Sequence, residues 1–225
     1  MTGPQPAATT VEAMVIPSDE EIRALHEKYA PTPEAFALVY THCEIVCAVA
    51  EQLLDRSGLA LNRSLVRAGC LLHDIGVYRL FGTTGRLDHA HYVSHGVLGH
   101  EILAGEGLPG ALCRFCSHHT GVGLTRVDVR EQGLPIPEKD YVAESPEEEL
   151  VMYADKFHSK RNPPVFVTAD SYAASVARFG EEKVIRFKEM RTRFGTPELN
   201  PLVAAYGHSL VGTSEETPPA TDGGG

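Results

Sequence analysis

The chain has 225 residues but no tryptophan, and aromatic residues make up only 7% of it. No apolar run approaches the roughly 20 residues of a transmembrane helix, and the N-terminus lacks the charged-then-apolar pattern of a secretory signal. We therefore expect a cytoplasmic protein without a membrane span. Basic residues are also scarce, since 20 Lys and Arg against 30 Asp and Glu give a formal net charge of −10. Such an acidic chain is a poor general binder of nucleic acid or anionic membranes.

Cysteine is too scarce for a disulfide framework. The five cysteines are an odd number, and most lie in apolar helical patterns, so we expect reduced thiols in the core. Cys113 and Cys116 have the CxxC spacing of half a zinc site, but the sequence contains no second CxxC. This spacing also puts both residues on one helix face. Core packing is the favoured interpretation of the pair, with a zinc site as the alternative.

Alternating apolar runs joined by hairpin turns, which would indicate β-strands, are weak in this sequence. Helix-capping patterns dominate instead, including the boxes Ser18-Asp-Glu-Glu and Ser145-Pro-Glu-Glu. Predicted helix starts are Ser18, Thr32, Asn62, Ser94, Pro109 and Ser145, with two further helices over about 169–178 and 181–194. We expect an all-α fold, arranged as a helical bundle.

Neither an internal repeat nor a low-complexity linker divides the chain. We therefore expect one domain over residues 17–210, with helices at its C-terminal end. Residues 1–16 are small, polar and proline-containing, and residues 211–225 end in three glycines. Both terminal segments are expected to be disordered.

Histidine is abundant, with 11 in the chain. His73-Asp74 closes an apolar helix and offers a nitrogen donor beside a carboxylate whose two oxygens could bridge two cations. Alone, such a dipeptide is usually a surface pair. Here other polar residues lie mostly in apolar helical patterns, where they need partners: His42, His95, His118, His119 and Asp155. A helical bundle can point such groups at one place, and mixed imidazole and carboxylate ligands suit Fe, Mn, Co, Ni or Zn.

This arrangement resembles the His…His-Asp…Asp pattern of the HD superfamily of metal-dependent phosphohydrolases. The pattern reads here as His42, His73-Asp74 and Asp155, and the two further histidines of two-metal members match His95 and His119. The resemblance covers roughly residues 35–160. It is strongest to small proteins with an HDIG motif and more distant to symmetrical diadenosine tetraphosphate hydrolases. No Gly-Tyr-Pro follows a downstream histidine, which disfavours hydrolysis of cyclic di-GMP.

The resemblance implies an HD-domain helical bundle with two divalent ions of Fe, Mn, Co, Ni, Zn or Mg. His42, His73, Asp74 and Asp155 would hold one ion, and His95 and His119 the second. Asp74 would bridge them as the catalytic residue. Bound metal lowers the pKa of water to near 7, which supplies a nucleophile. The implied reaction hydrolyses an ester or anhydride bond in a nucleotide or related small phosphorylated metabolite.

Two other functions remain open at this point. The same six ligands occur in HD-type mixed-valent di-iron oxygenases, which cleave C–C or C–P bonds with O₂. A metal-stabilised nucleotide-binding protein would also retain this pattern. The ligands alone do not separate these functions from hydrolysis, and a homo-oligomer is compatible with any of them.

Candidate substrate-binding residues lie next to the predicted ligands. Lys156, Lys160 and Arg161 follow Asp155 and could bind the phosphate of the substrate, although a solvated helix end is an equal alternative. Adjacent helical residues point about 100° apart, so His118 and His119 are not expected to bind the same ion. The resemblance assigns the ligand to His119 through its His-Thr-Gly context, and His118 is expected at the pocket wall as a further substrate-binding candidate. His89 and His91 are expected in a loop, where solvent exposure is the favoured interpretation.

Overall fold

The computed structural model describes residues 14–82 and 85–212. Most of the two segments expected to be disordered, namely 1–13 and 213–225, lies outside the described residues. The described part is built from ten α-helices and three short strands. The helices are α1 (Asp19–Tyr29), α2 (Pro33–Ser57), α3 (Arg63–Leu72), α4 (His95–Gly105), α5 (Gly110–Ser117), α6 (Arg126–Glu131), α7 (Pro146–Ala154), α8 (Ala169–Val176), α9 (Glu181–Phe194) and α10 (Asn200–Tyr206). The predicted all-α bundle is confirmed.

Four of the predicted helix starts are capped by the expected side chain, but the box predicted at Ser145 is incomplete, because the Glu148 carboxylate accepts from the backbone of Glu144 instead. Ser18 accepts a hydrogen bond from the backbone of Glu21, whose carboxylate accepts one from the backbone of Ser18, which completes a capping box. The side chains of Thr32, Asn62 and Ser145 each accept from the backbone three residues later. These local bonds satisfy amides that the first helical turn leaves without partners.

Two helix ends differ from the prediction. The Ser94 side chain makes no capping bond, because the short 3₁₀ helix Tyr92–Ser94 leads directly into α4. Helix α7 ends at Ala154, so Asp155 lies at its C-cap instead of inside the helix. Its carboxylate is therefore free to turn toward the bundle interior.

Helix α2 runs through the centre of the bundle and packs against α3, α7 and α9. Val39, Val46 and Leu53 recur at seven-residue intervals on its buried face. By length and composition alone α2 could cross a membrane, since one 18-residue window has a mean hydropathy of 1.3. In the folded chain 61% of that window is buried, as a central bundle helix requires.

A small sheet joins the C-terminal end of the described chain to the bundle. Strand β1 (His158–Ser159) pairs antiparallel with β2 (Val165–Val167), which pairs in parallel with β3 (Ser209–Val211). Strand β1 begins only three residues after Asp155. The sheet therefore brings the residues around 208 next to the segment that follows α7.

Candidate metal centre

The bundle brings all six predicted metal ligands to one buried place. The six residues come from five parts of the chain: His42 from the middle of α2, His73 and Asp74 from the end of α3, His95 from the start of α4, His119 from the turn after α5, and Asp155 from the end of α7. Five of them are at most 5% exposed, and the Asp155 side chain is 16% exposed. Their potential ligand atoms form two overlapping groups that share Asp74.

The two oxygens of Asp74 divide the ligands into these groups. Oδ2 lies 3.1 Å from Nε2 of His42 and 3.4 Å from Nε2 of His73. Asp155 completes this first group, with its Oδ1 3.0 Å from the His42 nitrogen. The other oxygen, Oδ1, lies 3.4 Å from Nε2 of His95 and 3.7 Å from Nε2 of His119. One carboxylate thus faces two separate ligand sets.

Hydrogen bonds determine which nitrogen of each ring faces the centre. Nδ1 of His73, His95 and His119 lies 2.7, 2.6 and 3.0 Å from the backbone carbonyls of Cys70, Tyr92 and Phe115, respectively. A carbonyl can only accept, so each Nδ1 carries a proton. In a neutral ring Nε2 then keeps its lone pair, which is the form that ligates a metal.

These lone pairs face each other at short range. Nε2 of His95 lies 2.9 Å from Nε2 of His119, and Nε2 of His42 lies 3.2 Å from Nε2 of His73. Two neutral acceptors cannot hydrogen-bond to each other. No described residue donates a hydrogen bond to the buried Oδ1 of Asp74 either. A cation in each group would satisfy all of these atoms, so the donor set fits two metal ions.

Burial and neighbouring charges set the protonation of the ligands. Burial, with neighbouring His73 and His95, holds the pKa of His119 well below its usual range, and burial also lowers the pKa of His95. Burial alone would raise the pKa of Asp74, but Lys160 and His73 hold it well below its usual range. His73 differs: burial alone would lower its pKa, but Asp74, Cys43 and Asp155 together outweigh burial and raise it. A cation at this place would displace that proton.

Two of the predicted substrate-binding lysines reach the centre. The buried Lys156 ammonium donates to Oδ2 of Asp155 at 2.7 Å and to the carbonyl of His119 at 3.0 Å, so it connects the two ligand groups. Lys160 donates to Oδ2 of Asp74. Burial alone would lower the pKa of Lys160, but Asp74, Tyr92 and Asp155 together outweigh it and raise that pKa. Both lysines are charged, and Lys156 is already committed to protein partners.

The remaining candidates do not reach the pocket. Arg161 is exposed, and His118 is buried with its Nδ1 3.6 Å from Oε2 of Glu148. Glu148 also accepts from Arg114 at 2.8 Å. The structure therefore places His118 in a small charged cluster with Glu148 and Arg114, where it does not line the pocket. His89 and His91 are exposed, as expected from the sequence, and do not line the pocket.

Comparison with known proteins agrees with this geometry. The HD domain family matches residues 39–160, which is more than half of the chain and includes all six ligands. The chain belongs to the HD domain family. Its described residues form the helical bundle that the sequence resemblance implies, so that prediction is confirmed.

Three curated relatives match between about half and two thirds of the chain. A tRNA (cytidine(56)-2′-O)-methyltransferase of Picrophilus torridus is 38% identical over 54% of this chain and 32% of its own length. The corresponding methyltransferase of Thermoplasma volcanium is 30% identical over 67% of this chain and 39% of its own length. An uncharacterized protein of Methanocaldococcus jannaschii is 37% identical over 55% of this chain and 69% of its own. The chain thus spans about a third of the two methyltransferases.

Among solved structures, the HD domain of the L. monocytogenes phosphodiesterase PgpH overlays with a TM-score of 0.48 and 16% identity. That overlay covers 84% of this chain and 100% of the PgpH domain. The same domain in complex with cyclic-di-AMP gives a TM-score of 0.47 and 17% identity, over 83% of this chain and 97% of that domain.

The last residue of the HDIG motif has a packing role. Gly76 lies in the 3₁₀ helix Ile75–Leu80, which packs tightly against α4. A Cβ atom on Gly76 would collide with the carbonyl oxygen of His95 and with the backbone of Gly99. The glycine therefore allows the segment carrying Asp74 to approach the helix carrying His95.

A chain of histidines outside the HD motif supports His42. Its Nδ1 lies 2.8 Å from Nδ1 of His158, whose Nε2 lies 2.9 Å from Nδ1 of His208. If Nε2 of His42 ligates, its Nδ1 donates to His158, which then donates to His208. Burial, with His42 and His208 nearby, lowers the pKa of His158 to about 2, so this ring is neutral. The sequence analysis missed this role because it depends on contacts across 116 positions.

We predict that His158→Ala weakens metal binding by about 10- to 100-fold, because partners that orient a ligating histidine commonly contribute that much. The measurement is a competition titration with a chromogenic chelator. His91→Ala removes an exposed histidine away from the centre and serves as the matched control. Equal affinity in the two variants would contradict the orienting role.

A pocket of about 470 Å³ opens from the metal centre to the surface. Asp74, His95, His119 and Asp155 belong to its lining, as do Lys156 and Lys160. Much of the remaining lining is apolar and includes Tyr92, Val122, Leu124, Leu134, Val176 and Phe179. This volume is within the usual range for small-molecule sites, roughly 300–1,000 Å³.

Proposed function

We propose that this chain is a phosphohydrolase that uses two divalent transition-metal ions to cleave an ester or anhydride bond in a small phosphorylated metabolite. The observation that carries this proposal is the position of Asp74. Each of its oxygens faces a separate set of imidazole nitrogens that are free to ligate. Sharing one carboxylate between two ions is the arrangement expected of a two-metal centre.

The ions would polarise the phosphoryl group and lower the pKa of an attacking water. The chain's own residues supply the rest. Asp74 and Asp155 provide negative charge to retain the ions, and Lys156 connects the backbone of His119 to Asp155. Lys160 lies in the pocket with its ammonium beside Asp74, where it can pair with a phosphoryl oxygen as negative charge develops. Lys160 is therefore our candidate for the phosphate contact.

Two features of the chain guide the choice of substrate and location. The pocket has room for a small molecule, and the formal net charge of −10 opposes the phosphate backbone of a nucleic acid. We therefore do not extend tRNA methylation to this chain, which spans 32% and 39% of the two methyltransferases.

A cytoplasmic location is proposed because all five cysteines are free and buried.

The test is a phosphatase screen over nucleotides, dinucleoside polyphosphates and sugar phosphates, with Mn, Co, Ni, Fe and Mg in turn. Phosphate release under anaerobic conditions is the expected result. Activity that requires iron and consumes O₂ would instead identify an HD-type oxygenase. Tight nucleotide binding with no turnover under any metal would indicate a binding protein.

We predict that Lys160→Met lowers kcat/KM by about 10- to 100-fold, because a charge-assisted contact contributes roughly 1.5–3 kcal/mol. Metal content should not fall, since the ammonium is not a ligand. Steady-state kinetics and elemental analysis check both points. Lys188→Met, at an exposed position on α9 outside the pocket, is the control. Arg161→Met should have a smaller effect than Lys160→Met, and the reverse order would overturn this assignment.

A further inference from the structure

The mouth of the pocket is formed partly by residues beyond the HD family match, which ends at residue 160. Of the residues that line the pocket, three are exposed: Gln132, Arg178 and Phe179. The candidate metal ligands are almost fully buried, so they form the floor. Arg178 and Phe179 lie in the short 3₁₀ helix Ala177–Phe179. The family match therefore does not account for this part of the lining.

Phe179 is unusually exposed for a phenylalanine, with 46% of its surface accessible. The Arg178 guanidinium lies over its ring, 4.6 Å from the ring centre. Arg178 makes no ion pair with any residue that the structure describes. At the mouth of the pocket, this ring and the guanidinium over it offer a ligand a flat apolar face beside a positive charge.

Lys183 is the other basic residue beyond the family match that lines the pocket, and it has a different role. It is buried, and its ammonium donates to Oδ2 of Asp128 and to the carbonyl of Gly123. Arg186 donates to the carbonyl of Val122 at 2.9 Å. Both side chains attach α9 to the turn that follows His119. They hold the mouth in position, and Arg178 and Phe179 remain free for a ligand.

The other lining residues near the surface are uncharged. Leu124 and Leu134 are half-buried apolar residues, and Gln132 offers one amide donor and one acceptor. A flat ring with hydrogen-bonding edges matches such a lining. A sugar phosphate without a base would leave the apolar surfaces without a partner.

We propose that Phe179 and Arg178 form a subsite that binds the nucleobase of a nucleotide substrate, with Gln132 at the edge of the base. Phe179 provides the stacking face, and Arg178 holds that ring in place by a cation–π contact. The phosphate of the same nucleotide would lie at the metal centre. This inference rests on the proposed phosphohydrolase function and extends it to a substrate class.

The first test measures base binding without any reaction. The chain contains no tryptophan, so Phe179→Trp introduces a single indole fluorophore at the proposed stacking position. Titration with adenosine should quench its emission, and titration with ribose should not. Ile185→Trp is the matched control, because Ile185 is 50% exposed on α9 outside this pocket. Equal quenching in both variants, or none in Phe179→Trp, would overturn the proposal.

The second test compares adenosine monophosphate with ribose 5-phosphate, which differ by the base. The parent protein should prefer the nucleotide, and Phe179→Ala should reduce that preference by about 5- to 100-fold, as expected for a lost stacking contact. Phe179→Tyr should restore it. An unchanged preference would show that the mouth does not recognise the base.

Together the two tests separate the inference from the proposed function. Adenosine quenching with no hydrolysis of any phosphate would retain the subsite and reject the phosphohydrolase. Hydrolysis with no base preference and no quenching would retain the phosphohydrolase and reject the subsite.

Discussion

Asp74→Ala should lose both metal ions and all measurable hydrolysis. Its two oxygens lie beside different sets of histidine nitrogens, so removing one side chain deprives both groups of a shared ligand. The negative charge that offsets two divalent ions also falls by one. Elemental analysis of protein prepared without chelator should approach two ions per chain in the parent and zero in the variant.

The control for this variant is Asp55→Ala. Asp55 is an exposed carboxylate paired with Arg63, and surface pairs of this kind contribute little to stability. Metal content and activity should match the parent. Asp74→Asn retains the shape of the side chain but not its charge, and it should also lose metal. Full occupancy in Asp74→Ala would contradict the bridging role.

His119→Ala should reduce the metal content toward one ion per chain and abolish activity, whereas His118→Ala should retain both ions. Nε2 of His119 faces the second group, but His118 turns toward Glu148 behind the site. One metal ion commonly supplies several kcal/mol of transition-state stabilisation. Its loss should therefore lower kcat by at least about 100-fold.

His118→Ala should act mainly on stability. Its imidazole is buried beside Glu148, and Arg114 still pairs with that carboxylate in the variant. Thermal unfolding and metal analysis of both variants provide the comparison. Loss of one ion in His118→Ala, with both ions retained in His119→Ala, would show that the assignment of the pair must be reversed.

The sequence was sufficient for most of the helical elements, although not for α6 and α10, and for naming the candidate ligand residues that the fold brings together. Helix caps at Ser18, Thr32 and Asn62 depend on a side chain and an amide three residues later, so they are readable from local pattern. Histidine and aspartate in apolar helical patterns were equally readable, because a buried polar group requires a partner. The sequence did not show which residue is that partner.

The division of the candidate ligands into two groups could be seen only in the tertiary structure. Which oxygen of Asp74 faces which histidines depends on how helices from distant parts of the chain pack, and His42 and Asp155 are 113 positions apart. The tautomer of each ring depends on a backbone carbonyl, as for His95 and Tyr92. Asp155 lies outside α7 because that helix ends at Ala154, and the local sequence pattern did not locate this helix end.

The roles of the basic residues were likewise decided by packing. Three basic residues are nearly adjacent in sequence but differ in role. Lys156 connects the two ligand groups, Lys160 reaches Asp74, and Arg161 faces solvent. Arg178 and Phe179 carry no local motif at all. They line the pocket because Lys183 and Arg186 attach α9, which follows them in the chain, to the turn after His119, and only long-range packing brings those segments together.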